Sequence, residues 1–150
     1  MKNLYFALSV LFSATLFGCG FGGQQFHGTY NVTGTVTITL TGYGSETDPL
    51  SVSYRISEGA DSDIVISEAT GGQCSFPADV EGAVATVRPG ASCTQVANGV
   101  TITRTVTNGT ASLSGKAVQF NLSGNLTATA NGKTYPGTFI QNATLTRTGK

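Results

Sequence analysis

The sequence predicts an all-β domain, an antiparallel meander of about 8–10 strands closed as an up-and-down barrel or a strongly curled sheet, with a β-sandwich as the alternative. Three observations predict it. Apolar and polar residues alternate with a period of two along most of the chain. Gly and Thr dominate, with 20 and 23 of the 150 residues. No helical period follows the N-terminal apolar run. The same composition excludes other classes. Charged residues make up 11%, with 8 basic against 8 acidic side chains, so no basic surface exists to draw in a phosphate backbone and nucleic acid is not an expected partner. The low share of charged residues also excludes a coiled coil or helical bundle.

The elements follow in order. A first strand over 28–41 sets Tyr30, Val32, Gly34, Val36, Ile38 and Leu40 on one face and Asn31 with Thr33, Thr35, Thr37, Thr39 and Thr41 on the other. β-Branched residues on both faces suit a half-buried strand with a solvated Thr side. A second strand, 50–58, sets Leu50, Val52, Tyr54 and Ile56 against Ser51, Ser53, Arg55 and Ser57. Shorter strands are expected at 63–68, 74–80, 83–88 and 92–96. Asn108-Gly109 has the residue types of a type I′ turn. It predicts a hairpin between strands 100–107 and 110–113, with Val106 facing Ala111 and Arg104 facing Leu113. Ser114-Gly115-Lys116 is the next turn.

The last two strands, 117–130 and 133–148, meet at a second Asn-Gly turn, Asn131-Gly132. Pairing Ala130 with Lys133 fixes the rest: Ala128 faces Tyr135, Leu126 Gly137, Gly124 Phe139, Leu122 Gln141, Phe120 Ala143 and Val118 Leu145. Nearly every apolar residue then falls on one face, an order that a slip of one residue would destroy. Large residues oppose small ones, so an aromatic can cover a glycine. Pro136 falls on the other face and marks an edge or a bulge. Strands this long exceed the usual five or six residues and favour a barrel.

Residues 4–17 are apolar apart from Ser9, Ser13 and Thr15 and follow Lys2. The run fits a signal-peptide core and falls short of the ~20 residues of a membrane span. It ends in Leu16-Phe17-Gly18-Cys19, which resembles the lipobox of bacterial lipoproteins. The resemblance implies that 1–18 is a cleaved signal peptide and that Cys19 carries the lipid. The protein would then be exported and anchored by that lipid to the cell envelope, at the outer membrane by the sorting preference attached to Gly20. An ordinary secretory cut needs small residues at two positions, and neither Gly18 nor Ala14 has one two places before it. Residues 19–26 read as a Gly-rich tether and 27–150 as a single β domain.

With Cys19 acylated, Cys74 and Cys93 form an even pair in an exported chain, and a disulfide is expected. Closing the 18-residue loop between them is worth about 3 kcal/mol in the chain-entropy treatment. The kit for catalysis is thin. His27, beside the tether, is the only imidazole, and neither a Gly-x-Ser-x-Gly elbow nor a His-Glu-x-x-His pair occurs. Glu58, Asp61, Asp63 and Glu68 surround a turn, where solvated carboxylates are ordinary, and they lack EF-hand spacing. No catalytic residue, metal or cofactor is expected.

Arg104 and Gln141 stand out because alternation puts both on the apolar face. Either Arg104 snorkels at a barrel end or is turned outward by a bulge, or the two line an internal cavity and orient a ligand. The function expected is that of a non-catalytic envelope lipoprotein with a structural or adhesive role. The alternative is a calycin-like barrel carrying a small apolar ligand among aromatics such as Tyr30, Tyr54, Phe120, Tyr135 and Phe139.

Overall fold

The computed structural model describes residues 22–69 and 74–150; the stretch expected to be a leader, 1–18, and the expected lipid site, Cys19, lie outside them. Among the described residues nine strands follow in order: β1 (Gly28–Leu40), β2 (Gly44–Glu58), β3 (Ile64–Glu68), β4 (Ser75–Glu81), β5 (Val84–Val87), β6 (Ser92–Ala97), β7 (Val100–Ser114), β8 (Ala117–Ala130) and β9 (Lys133–Gly149). All pair antiparallel in one sheet, ordered β5-β4-β3-β2-β1-β9-β8-β7-β6. A further pairing, β5 with β7, closes a ring of hydrogen bonds, Val84 opposite Ser112, Ala85 opposite Ala111 and Thr86 opposite Thr110. The protein is therefore an all-β meander rolled into an uneven barrel.

The unevenness comes from β5 and β6, which run in line along the same edge of β7. The corner between them stays on that edge, since Gly90 N–H donates to Val106 O and Val106 N–H to Ala91 O, both at 2.8 Å. Strand β5 also pairs with β4, whereas among the described residues β6 pairs only with β7. The barrel is thus closed at the end of the β2–β3, β4–β5 and β7–β8 turns, here the base. It is split at the end of the 41–43, Asn98-Gly99 and Asn131-Gly132 tips, here the mouth.

The base is filled. Phe26, Tyr30, Ile56, Ile64, Ile66, Phe120 and Leu145 are fully buried, each side chain worth about 1.5–3 kcal/mol on burial. Of the stretch read as a tether, residues 22–26 are described, and they pack against the barrel. Gln24–Phe26 form a 3-10 turn, Phe26 enters the core, and the Phe26 carbonyl accepts a 2.6 Å hydrogen bond from the Tyr30 hydroxyl. The packed unit therefore reaches back to Gly22.

The register expected for the last hairpin is the one observed, from Ala130–Lys133 through Leu122–Gln141 to Val118–Leu145. Phe139 does cover Gly124: a Cβ there would lie 3.0 Å from the ring. Pro136 sits just beyond the last β1 partner, Leu40 opposite Gly137, and only its carbonyl is used, by Thr41 N–H at 2.9 Å.

The hairpin expected at Asn108-Gly109 is not formed. Residues 100–114 are one strand carrying a bulge, with Val106 opposite Gly124 and Asn108 opposite Ser123. Arg104 consequently faces Leu126 and Ala111 faces Phe120, not Leu113 and Val106. Neither Asn108 nor Gly109 has positive φ; the turn into β7 is Asn98-Gly99, with φ of 50° and 77°. Gly109 serves close packing instead, since a Cβ there would lie 2.5 Å from Leu122 Cδ2 and 2.8 Å from Val87 Cβ.

Among the described residues β2 keeps one free edge over its mouth half, because β3 pairs only from Tyr54 onward. Ser53 O accepts from Ala69 N–H at 2.8 Å, so odd-numbered β2 residues turn their backbone groups to that side. Pro49 is in that row and presents no N–H to it.

The bulge predicts a contrast. Gly109→Ala should cost about 1–3 kcal/mol through overpacking, while Asn108→Ala should stay within about 0.5 kcal/mol, as for an ordinary exposed site. Urea unfolding of both variants checks this, and a large loss in Asn108→Ala would restore the turn reading.

Candidate functional site

Toward the mouth the inward-facing alternation of β1, β7 and β8 continues past the filled core, but among the described residues no strand bridges β2 and β6. Ile38, Leu40, Val100, Ile102, Leu126 and Ala128 therefore line a cleft of about 540 Å³. That is within the usual size range of small-molecule sites. Tyr43, Gly44, Ser45, Glu46 and Asp48 complete its wall. The carboxylates face inward because Glu46 pairs with Ile38 and Asp48 with Val36 across the hairpin. At the rim Tyr43, 71% exposed, meets Tyr135 edge-on with ring centres 5.3 Å apart.

Deeper in the barrel is a polar cluster. Gln141 is fully buried and its Nε2 has no hydrogen-bond partner. The Tyr54 phenol lies beside it: burial pushes its pKa above the ordinary tyrosine value, the adjacent Gln141 amide opposes this, Glu68 adds to it and Arg104 opposes it. Arg104 is half-buried, with its guanidinium carbon 5.9 Å from the centre of the Phe139 ring. It donates to Gln95 Oε1 at 2.7 Å and lies 3.8 and 3.9 Å from the sulfurs of Cys93 and Cys74. Gln95 in turn donates to Glu68 at 3.3 Å.

Cys74 and Cys93 form the expected disulfide, with Cα atoms 4.7 Å apart. It ties the start of β4 to β6, where the strands stop pairing, and so sets the depth of the split. Arg104 and Gln141 thus face inward as alternation placed them, with Tyr54 electrostatically linked to both. The bulge begins after Val106 and does not turn Arg104 outward. Tyr30, Tyr54, Phe120 and Phe139 fill the core rather than line a cup, and Tyr54 and Phe120 pack edge-on at 5.9 Å. His27 is far away at the base, its Nε2 buried without a partner.

Sequence reasoning missed Glu46 and Asp48 as site residues because it began the second strand at 50. Carrying the alternation of Leu50, Val52 and Tyr54 back by two and four positions places both carboxylates inward.

Two outcomes are expected. Cys74→Ser/Cys93→Ser should lower unfolding free energy by about 3 kcal/mol and leave the spectrum of the folded β state in place, as urea melts followed by circular dichroism would record. The raised Tyr54 pKa favours the neutral phenol in the fold. Its stabilisation is therefore full below about pH 10, the unfolded value, and is lost as pH rises through the folded one. Thermal melts from pH 8 to 11 should fall at the alkaline end, and Tyr54→Phe should fall less.

Comparison of the chain with protein-family models, curated proteins and solved structures finds no match in any of the three.

Proposed function

We propose that the protein is an exported, lipid-anchored envelope protein whose β domain is non-catalytic and holds a small apolar ligand at its mouth. The mouth cleft carries this reading. It is an unfilled apolar surface in a barrel whose other half is packed tight, and its floor continues toward inward-facing polar groups that could fix a ligand's orientation. A calyx in the deep barrel is not what the geometry supports, because aromatics occupy that space.

The path of the chain favours the anchor's side of the reading. Gly22 lies at the base beside Asp63, and three residues from Cys19 span at most about 11 Å. A lipid on Cys19 would hold the base against the bilayer and turn the mouth away from it.

A second reading, a structural or adhesive role, draws on a different surface. The outward positions of β1, β9, β8 and β7 hold no charged side chain. Hydroxyls and amides form cross-strand pairs there, such as Thr129 with Thr134 at 3.2 Å and Thr144 with Gln119 at 3.2 Å. Such a face suits contact with an uncharged, hydrogen-bonding envelope polymer.

The tests are direct. Intact mass of protein extracted from its own envelope should match 19–150 plus diacylglyceryl and acyl groups, with two alkyl additions only after reduction; an unlipidated mass removes the anchor. The neutral fluorophore N-phenyl-1-naphthylamine should bind the purified domain and be displaced by 1-octanol. Ala128→Phe, which fills the cleft, should weaken that binding about tenfold or more, a loss of about 1.4 kcal/mol. Absence of binding would leave the structural reading in its place.

A further inference from the structure

Resting on the mouth-cleft reading, we infer that the cleft selects amphiphiles bearing a cationic head, with the apolar body on Ile38, Leu40, Ile102 and Leu126 and the cation beside Glu46 and Asp48. The cleft's wall holds these two carboxylates and no basic side chain. Two positions apart on one strand face, they stand about 6.6–6.8 Å apart along β2, close enough to share one ammonium group or its water shell. Among the described residues the only ion pair is Arg88 with Asp79, at the β4–β5 side of the barrel, and neither Glu46 nor Asp48 has a side-chain hydrogen bond to a basic residue.

Their placement is informative. On the mouth half of β2 the outward side chains are those of Ser45, Thr47, Pro49 and Ser51, all uncharged, while both acids stand on the inward face beside aliphatic side chains. Solubility would be served as well by charges facing out. Facing in, they give an apolar cleft a negative margin, which attracts cationic amphiphiles and repels anionic ones of the same length. Tyr43 and Tyr135 add ring faces at the rim, which also favour cations. Arg104 lies deeper, engaged with Gln95, and Lys133 projects from the β8–β9 tip outside the lining.

The experiment compares three probes of equal chain length, n-octylammonium, 1-octanol and octanoate, as competitors of N-phenyl-1-naphthylamine at neutral pH. Exposed carboxylates give a modest, salt-sensitive preference. Octylammonium should therefore displace the fluorophore about fivefold better than octanol at low salt, and octanoate should be weaker than both. The order should collapse at 0.5 M salt (a Debye length of about 4 Å) and in Glu46→Gln/Asp48→Asn, and reverse in Glu46→Lys/Asp48→Lys. Circular dichroism of both variants confirms that these exposed sites leave the fold intact. Equal displacement by all three, or preference for octanoate, overturns the charge selection while the cleft stands as a ligand site. Failure of every probe, including the fluorophore, removes the cleft reading itself and the selection with it.

Discussion

Everything in this barrel depends on how β7 is shared. It must pair along one whole edge with β8 and along the other with two strands in succession, β5 at the base and β6 at the mouth. Only three residue pairs with β5 close the ring. The bulge makes this possible by moving the inward face from even to odd numbering, so that Ile102, Arg104 and Val106 point in on one side of it and Gly109, Ala111 and Leu113 on the other. The exposed fork of Arg88 onto Asp79, at 2.5 and 2.7 Å, sits at the corner where β5 gives way to β6. The first and last strands also pair, with Thr29 opposite Gly149. Such distant pairs are costly in loop entropy and characterise slow-folding β topologies.

Because closure is confined to the base, the two ends of the barrel have different physics. The base buries its aromatics and takes in Phe26 as a seal. The mouth leaves the same kind of inward alternation without a strand to cover it, and apolar surface remains at Ile38, Leu40, Val100 and Ile102. Between them lie Tyr54, Gln141 and Arg104. A buried amide with an unpartnered donor costs about 1–3 kcal/mol, so Gln141 weakens the barrel rather than stabilising it.

Much of the fold was legible because period-two alternation and one unambiguous turn reinforce each other. Asn131-Gly132 gave the last hairpin its register to the residue. Asn108-Gly109 misled for a definable reason: a turn and a bulge both shift the parity of the apolar face, and local residue types cannot separate them. What decided between them was the space around Gly109, set by Leu122 and Val87 from strands distant in sequence. The site was half legible. Arg104 and Gln141 follow from alternation alone, but the cleft exists because of a pairing that is missing, and a missing partner leaves no pattern in the strand that lacks it.

The free edge of β2 has a further consequence. On the proposed lipid anchor, neighbouring molecules would meet at high two-dimensional density and in one orientation, conditions that favour strand-to-strand joining into fibres. An unpaired strand half is an invitation to that joining. Pro49, which withholds a donor in the middle of the exposed row, and Glu46 and Asp48, which would bring like charges together in a paired copy, make the edge a poor template. The split that opens the barrel's mouth is thereby kept from becoming a seam for polymerisation.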